Sequence, residues 1–294
     1  MQAGDQSASG RLAIIAGGGL LPHYLAEAAR RNGENPLIIQ LLGEAGPEWN
    51  GYDLEHASVG NFAGIKELFR RFSITRVVLS GSVRRRPEWR QIRPTLGFLA
   101  TVPFVLKTLR RGGDNAVLEM VIALLEALGC RVIGAHEIAP DLLASAGPVG
   151  RWTPDSEAEE DIRVGIEAAL QLGRLDIGQG AVAVGGRVVA LEGPEGTDAM
   201  LKRVAEMRAS GRISSRRKGV LVKLAKPQQD ERADLPAIGL TTLKNASLAG
   251  LAGIVGEAGR SLLLDRSELT EAANAAGMFV LGVEISRPEA AEAT

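Results

Sequence analysis

The stretch from Lys226 to Pro236, KPQQDERADLP, gathers cations, amides and carboxylates within eleven positions. It follows an apolar run, residues 219–224, that reads as a strand, so the cluster falls on a loop whose freedom Pro227 and Pro236 limit. That mixture suits cleavage of a phosphate ester. Lys226 or Arg232 can offset phosphate charge, Gln229 can orient an oxygen, and a carboxylate can hold a divalent ion or position water. By residue type alone Asp230, Glu231 and Asp234 are equivalent, and a solvated charged loop accounts for the same composition. Upstream, Glu195-Gly196-Thr197-Asp198 places a hydroxyl and carboxylates at the start of a helix. Capping alone explains Thr197 and Asp198 as well as a ligand does.

Glycine turns mark further sites in the first half. Gly17, Gly18 and Gly19 lie between an apolar strand (residues 12–16) and a helix whose first turn holds Pro22. Amides at Gly18, Gly19 and Leu20, with the helix dipole behind them, favour a phosphate. This is not a dinucleotide fingerprint. Pro22 takes the third glycine position, and Gln40 stands where a ribose-binding acid is expected. Gly81 and Ser82 follow the strand RVVL and precede Arg84, Arg85 and Arg86, where a ligand loop and a solvated basic turn are both reasonable readings. Asp114, after Gly112-Gly113, is either the cap of a long helix or a substrate contact.

Other chemistries lack their residues. His23, His56 and His136 show no metal-ligand spacing, and Cys130, the only cysteine, excludes an intrachain disulfide and a multi-cysteine cluster. One cysteine suits a reducing compartment. Any metal is expected to be a hard ion on oxygen ligands, Mg²⁺ or Mn²⁺. No Walker A motif and no G-x-S-x-G elbow occurs.

The elements that must carry these residues read as alternating strands and helices. In the first half strands are expected at 12–16, 37–41, 76–79 and 130–133, with helices from Pro22 to Gly33, over 61–72 and over 114–128. That alternation implies a mostly parallel sheet covered on both faces. The segment SAGPVGRWTPD suits a linker, and Ser156 with Glu159 forms a capping box for a helix reaching Leu172. Beyond it, AVAV-Gly185-Gly186-RVVAL reads as a hairpin. Strands follow at 219–224, 261–264 and 278–283, with helices after Thr197, Thr241 and Arg266. The expected class is α/β in two domains. A Rossmann-like N-terminal domain (residues 11–144) with a mostly parallel sheet precedes a linker (145–155) and a mixed α/β catalytic domain (156–287).

Composition sets outer limits. The 294 residues carry 34 Lys and Arg against 35 Asp and Glu, a formal charge of −1, which argues against nucleic-acid binding driven by net charge. Aromatics at 4% make base-stacking platforms unlikely. The longest charge-free apolar run, residues 95–106, contains Pro103 and has 12 residues against the roughly 20 needed to span a bilayer. The polar N-terminus has no signal-peptide pattern, so a cytoplasmic protein is expected.

The stretches IAGGGLLP, GSVRRRP, RGGDNAVL, GAHEI, GRLDIGQGAV, EGTDAML, KPQQDERADLPAIG and GLAGIVGEAGR together resemble the UDP-2,3-diacylglucosamine pyrophosphatases of the lipid A pathway. The type is the two-domain one of alphaproteobacteria, not the calcineurin-like one. The stretches run in order from residue 12 to about 283, and Ser82 departs from the Asn usual there. The resemblance implies hydrolysis of UDP-2,3-diacylglucosamine to UMP and 2,3-diacylglucosamine 1-phosphate (lipid X), with water attacking the uridine-side α-phosphorus and Mg²⁺ assisting. It also implies a homodimer and, through the motif ADLP, an essential Asp234. Asp198 is a second candidate metal ligand, and a lipid substrate suggests peripheral contact with the cytoplasmic face of the inner membrane. Residues 98–106 could meet acyl chains. Two other readings stand beside this one. A nucleotide-dependent oxidoreductase is weakened by the missing third glycine and ribose acid, and a non-catalytic nucleotide or lipid sensor would use the second half as an interaction module.

Overall fold

A computed structural model of the protein describes residues 10–44, 46, 48–59, 61–83, 114–232 and 234–286. Residues 98–106 and Arg84, Arg85 and Arg86 lie outside them. The chain forms two α/β units. One comprises residues 1–140 together with Asp230–Asp234, and the other comprises the remainder from Asp141.

The N-terminal unit is built on five parallel strands, β1 (Arg11–Ala16), β2 (Leu37–Leu41), β3 (Asp53–Ala57), β4 (Ile74–Ser80) and β5 (Arg131–Val132). Their order is β3-β2-β1-β4-β5. Every residue of β2 is buried, as a strand covered on both faces requires. Helices α1 (Leu21–Arg31), α2 (Phe62–Arg71), α3 (Asp114–Glu126) and the short α4 (Ala135–Ile138) supply that cover. Ile65 and Phe69 of α2 and Ile122 and Leu125 of α3 pack with Ala13, Ile15, Leu37, Ile39 and Val77 of the sheet. Asn61 caps α2, its side chain accepting from the Gly64 amide at 3.0 Å. The topology places one functional feature. β2 and β3 extend the sheet to one side of β1 and β4 to the other, so the strand order reverses between β1 and β4.

The C-terminal unit has a six-stranded mixed sheet, ordered β6-β13-β11-β9-β7-β8. Its parallel centre is β9 (Val220–Lys223), β11 (Gly253–Glu257) and β13 (Phe279–Val283), flanked by antiparallel β6 (Gly147–Pro148), β7 (Gly180–Ala183) and β8 (Val188–Leu191). A separate parallel pair joins β10 (Ala237–Ile238) to β12 (Leu262–Leu263). One face lies under α5 (Ser156–Arg174), through Ala158, Ile162 and Ala169 against Val220, Val222 and Val255. The other lies under α6 (Gly196–Ala209), α7 (Leu240–Leu248) and α8 (Arg266–Ala276), where Met200, Leu201, Leu243 and Leu269 meet Val182, Leu221 and Ile254. Each such side chain stabilises the fold by about 1.5–3 kcal/mol relative to exposure.

The hairpin turns at Gly185-Gly186 with φ +62° and +73°, as a two-residue turn matching strand twist demands. Three expectations are corrected. The cap of α5 is Asp155, not Ser156: its extended backbone aims the carboxylate at the Ala158 amide, 2.9 Å away. The strand expected at 130–133 shortens to Arg131–Val132, because Gly134 opens the next helix. Helix α6 begins at Gly196, and neither Thr197 nor Asp198 caps it.

Candidate functional site

In the N-terminal unit the two glycine loops are one structure. Ala16 and Ser80 are paired at the carboxyl ends of β1 and β4, and the chain leaves each into a glycine. Gly18 N donates to Ser82 O at 2.7 Å, Ser82 N returns a bond to Gly18 O at 2.9 Å, and Gly17 N donates to Ser80 O at 2.8 Å. A Cβ on Gly17 would sit 2.5 Å from Ser82 O, and one on Gly81 (φ +87°) 2.6 Å from Gly18 O. These glycines therefore exist for backbone contact between the loops, and the amides of Gly18 and Ser82 are committed to each other. This corrects the expectation of a free amide at Gly18. Gly19 differs: its φ is +94° and nothing lies within 4 Å of the Cβ position, so open space meets the chain just ahead of α1. Leu20 beside it is 57% exposed. Asp114 is the first residue of α3.

Asp230–Asp234 belong to this same unit. Arg232 organises the segment. It donates to Asp230 through Nε (3.0 Å to Oδ1) and Nη2 (2.7 Å to Oδ2), and through Nη1 to Glu126 Oε1 at the end of α3, 2.8 Å away. The hydrogen-bonded guanidinium holds the Asp230 carboxyl below its usual range, and Asp230 pushes the Arg232 pKa up in return. The segment also crosses the carboxyl end of β5. A Cβ on Gly134 would lie 3.3 Å from the Glu231 carbonyl and 2.6 Å from His136 Nδ1. Asp234 is exposed at the end of this brace, its amide donating to Asp230 O at 3.5 Å. Asp230 is thus bound up in an ion pair with Arg232, and the Asp234 side chain is exposed.

In the C-terminal unit the candidates have partners that the sequence did not disclose. Lys226 Nζ donates to Asp176 Oδ1 at 2.7 Å, with the two side chains only 12% and 18% exposed. Gln229 is buried, and its Oε1 accepts from the Lys226 amide at 3.4 Å. Thr197 Oγ1 donates to Glu192 Oε2 at 3.0 Å, and Asn245 Nδ2 donates to Asp198 Oδ1 at 2.9 Å. Asp198, Leu201, Lys202, Ala205, Asn245 and Leu248 line a groove of about 440 Å³ between α6 and α7.

Of the buried charged residues that the sequence reading passed over, Asp161, Glu192, Lys223 and Glu257, the last two stand at the carboxyl ends of the adjacent strands β9 and β11. Lys223 Nζ donates to Ala237 O at 3.0 Å, and Arg260 approaches Glu257 at 3.6 Å. Their signal was a charged residue closing an apolar run, VLVK and GIVGE. His23 pairs with Glu27 at 3.2 Å beside Trp49, and His56 is exposed on β3.

Among the described residues no group of three His, Cys, Asp or Glu side chains could hold a metal ion. Asp198 and Asp234 belong to different units. The donor set that remains, exposed carboxylates without a protein cage, fits Mg²⁺, which binds through one or two carboxylates plus substrate phosphates. Among the described residues no helix is long and apolar enough to cross a membrane.

Comparisons with known proteins cover the chain in two blocks. The family model of the LpxI N-terminal domain matches residues 11–142, and that of the LpxI C-terminal domain matches residues 145–281. The UDP-2,3-diacylglucosamine pyrophosphatase LpxI of Caulobacter vibrioides is 41% identical over 275 residues, 93% of this chain and 98% of that protein. Among solved structures, the Bordetella bronchiseptica enzyme WbmG in complex with NAD aligns at 20% identity with a TM-score of 0.24, over 37% of each chain, which is too distant to carry an argument. With both halves matched in order and nearly the whole length aligned, the chain belongs to the LpxI family.

Proposed function

We propose that the protein hydrolyses the pyrophosphate of UDP-2,3-diacylglucosamine in lipid A synthesis. The observation that carries this is the 41% identity to a relative of that activity over 93% of the chain. In the reaction, water oxygen bonds to the α-phosphorus as the anhydride bond to the β-phosphate breaks, giving UMP and lipid X. The β-phosphate leaves in line, opposite the water.

Asp234 is the residue we assign to the reacting centre. It is an exposed acid on a segment that Arg232 braces through Asp230 and Glu126, so the backbone that carries its carboxylate is held in place where a phosphate can approach. It orients the water and takes up its proton, or ligates Mg²⁺ with the substrate phosphates. When bound, Mg²⁺ supplies charge stabilisation of the transferring phosphoryl group. Asp198 is the second carboxylate of the proposal. Lys226, Gln229, Arg232, Thr197 and Asp114 are assigned to substrate, with Gly19, Leu20, Gly81 and Ser82 at the strand-order reversal of a Rossmann-like unit. A phosphate that engages Lys226 or Arg232 must share the cation with Asp176 or Asp230. A homodimer and peripheral membrane contact in the cytoplasm complete the proposal.

The test is turnover of UDP-2,3-diacylglucosamine by purified wild type and Asp234→Asn. Loss of about 10²- to 10³-fold in rate is expected, with an unchanged circular dichroism spectrum because the side chain is exposed. Wild-type turnover in the folded variant removes Asp234 from the mechanism.

A further inference from the structure

Between residues 202 and 218 the chain carries seven cations, Lys202, Arg203, Arg208, Arg212, Arg216, Arg217 and Lys218, against one acid, Glu206. That bias is local, since the whole chain sums to −1. Arg208 explains how so much like charge is held in place. Half-buried at the end of α6, it donates to the carbonyls of Ala249 (2.8 Å), Ser214 (2.6 Å), Arg217 (2.8 Å) and Lys218 (2.5 Å). A single guanidinium thus pins the following turn by its backbone, and the side chains of Arg212, Arg216, Arg217 and Lys218 are exposed around it.

None of those four forms an ion pair with a carboxylate among the described residues. Two acids that reach the hairpin turn are already engaged. Asp161 is buried and accepts from the Gly186 amide, at 2.6 Å, and Glu160 is bound by Arg163 at 2.7 Å. Arg217 reaches that turn, its Nη1 2.6 Å from the position of a Gly185 Cβ, which brings exposed Arg187 into the same basic patch. Beside the patch stands Leu248, 69% exposed, one residue before the Ala249 carbonyl that Arg208 holds. Rigid, uncompensated cations next to an exposed leucine match the charge and apolarity of an anionic bilayer surface. Nucleic acid is the poorer fit, because residues 202–218 contain no aromatic side chain for base stacking.

We propose that the C-terminal unit docks on an anionic lipid surface through Arg212, Arg216, Arg217 and Lys218, with Leu248 as the apolar contact. The idea rests on the proposed lipid substrate for its setting, but its test reads binding rather than turnover. Each surface cation contributes about fivefold to partitioning onto anionic membrane, so removing three should weaken it about a hundredfold. The experiment is sedimentation of the full chain with phosphatidylglycerol-containing vesicles and with pure phosphatidylcholine vesicles. The variants are Arg216→Gln/Arg217→Gln/Lys218→Gln and, separately, Leu248→Ser, with folding checked by circular dichroism.

Wild type should pellet with the anionic vesicles only, and less as salt shortens the screening length from about 10 Å at 0.1 M to about 3 Å at 1 M. The triple variant should lose about a hundredfold and Leu248→Ser a smaller factor. Turnover of detergent-dispersed substrate by the triple variant should stay at the wild-type level, which separates this idea from the hydrolase reading. Wild type that ignores anionic vesicles overturns it. So does a triple variant that binds them equally well, or tighter binding to duplex DNA than to vesicles at equal salt.

Discussion

Asp230 and Asp234 lie on one short segment, and Arg232 grips the first of them through both carboxylate oxygens. Because the Arg232 hydrogen bonds depress the Asp230 pKa below its ordinary value of 3.8, the pair stabilises the fold fully above that pH. The contribution fades as pH falls through the lowered folded value. Replacing Arg232 with Leu should therefore cost about 1 kcal/mol or less near neutrality, since the pair is partly exposed, and the gap to wild type should close below about pH 4. Denaturant titrations across pH 2–7 check this, and a pH-independent difference would contradict the pairing. The sequence presented the acids of this loop as equals. Arg232 lies between them, but its second anchor, Glu126, lies 106 residues away and could not be read locally. Lys226 with Asp176 is the same case, an ion pair across 50 residues. Residue types were legible at these positions, and partners were not.

Among the elements, the junction of the two glycine loops sets the clearest test. Gly81→Ala would put a Cβ 2.6 Å from Gly18 O at a φ of +87°, a conformation costing about 1–3 kcal/mol for a side-chain residue before any clash. The expected outcome is a loss of at least that much stability by denaturant unfolding, with weaker substrate binding because the loops part. Unchanged stability would mean the junction is not fixed as described.

The elements legible in advance were those with strong pattern, such as Leu37–Leu41 and the Gly185-Gly186 hairpin. Four strands were missed: β6 and β10, of two residues each, are too short to show a pattern, and two longer ones were hidden for other physical reasons. β3 is an edge strand whose DLEHA is mostly exposed, so it offers little hydrophobic pattern. β11 is central, but its GIVGE contains two glycines and reads as a turn. Gly253 is needed there because Phe279 of β13 lies where its Cβ would be, 2.4 Å from the nearest ring carbon.

At the scale of the molecule, the two α/β units were legible from the alternation of strands and helices. The allotment of Asp230–Asp234 to the N-terminal unit was not, because it is a long-range contact with no local signature. The proposed metal dependence is tested at this scale, since the described residues include no group of three His, Cys, Asp or Glu that could cage an ion. EDTA should abolish turnover and Mg²⁺ or Mn²⁺ restore it, while the unfolding midpoint stays put, because no structural site is lost. Full activity in chelator would contradict metal assistance.

The central claim, that water cleaves UDP-2,3-diacylglucosamine at its α-phosphorus, is tested most directly by running the purified protein on that substrate in ¹⁸O-water. Both products are then weighed by mass spectrometry. One ¹⁸O in UMP and none in lipid X is the predicted result. Intact substrate would contradict the hydrolase reading, and label in lipid X alone would contradict the assigned site of attack.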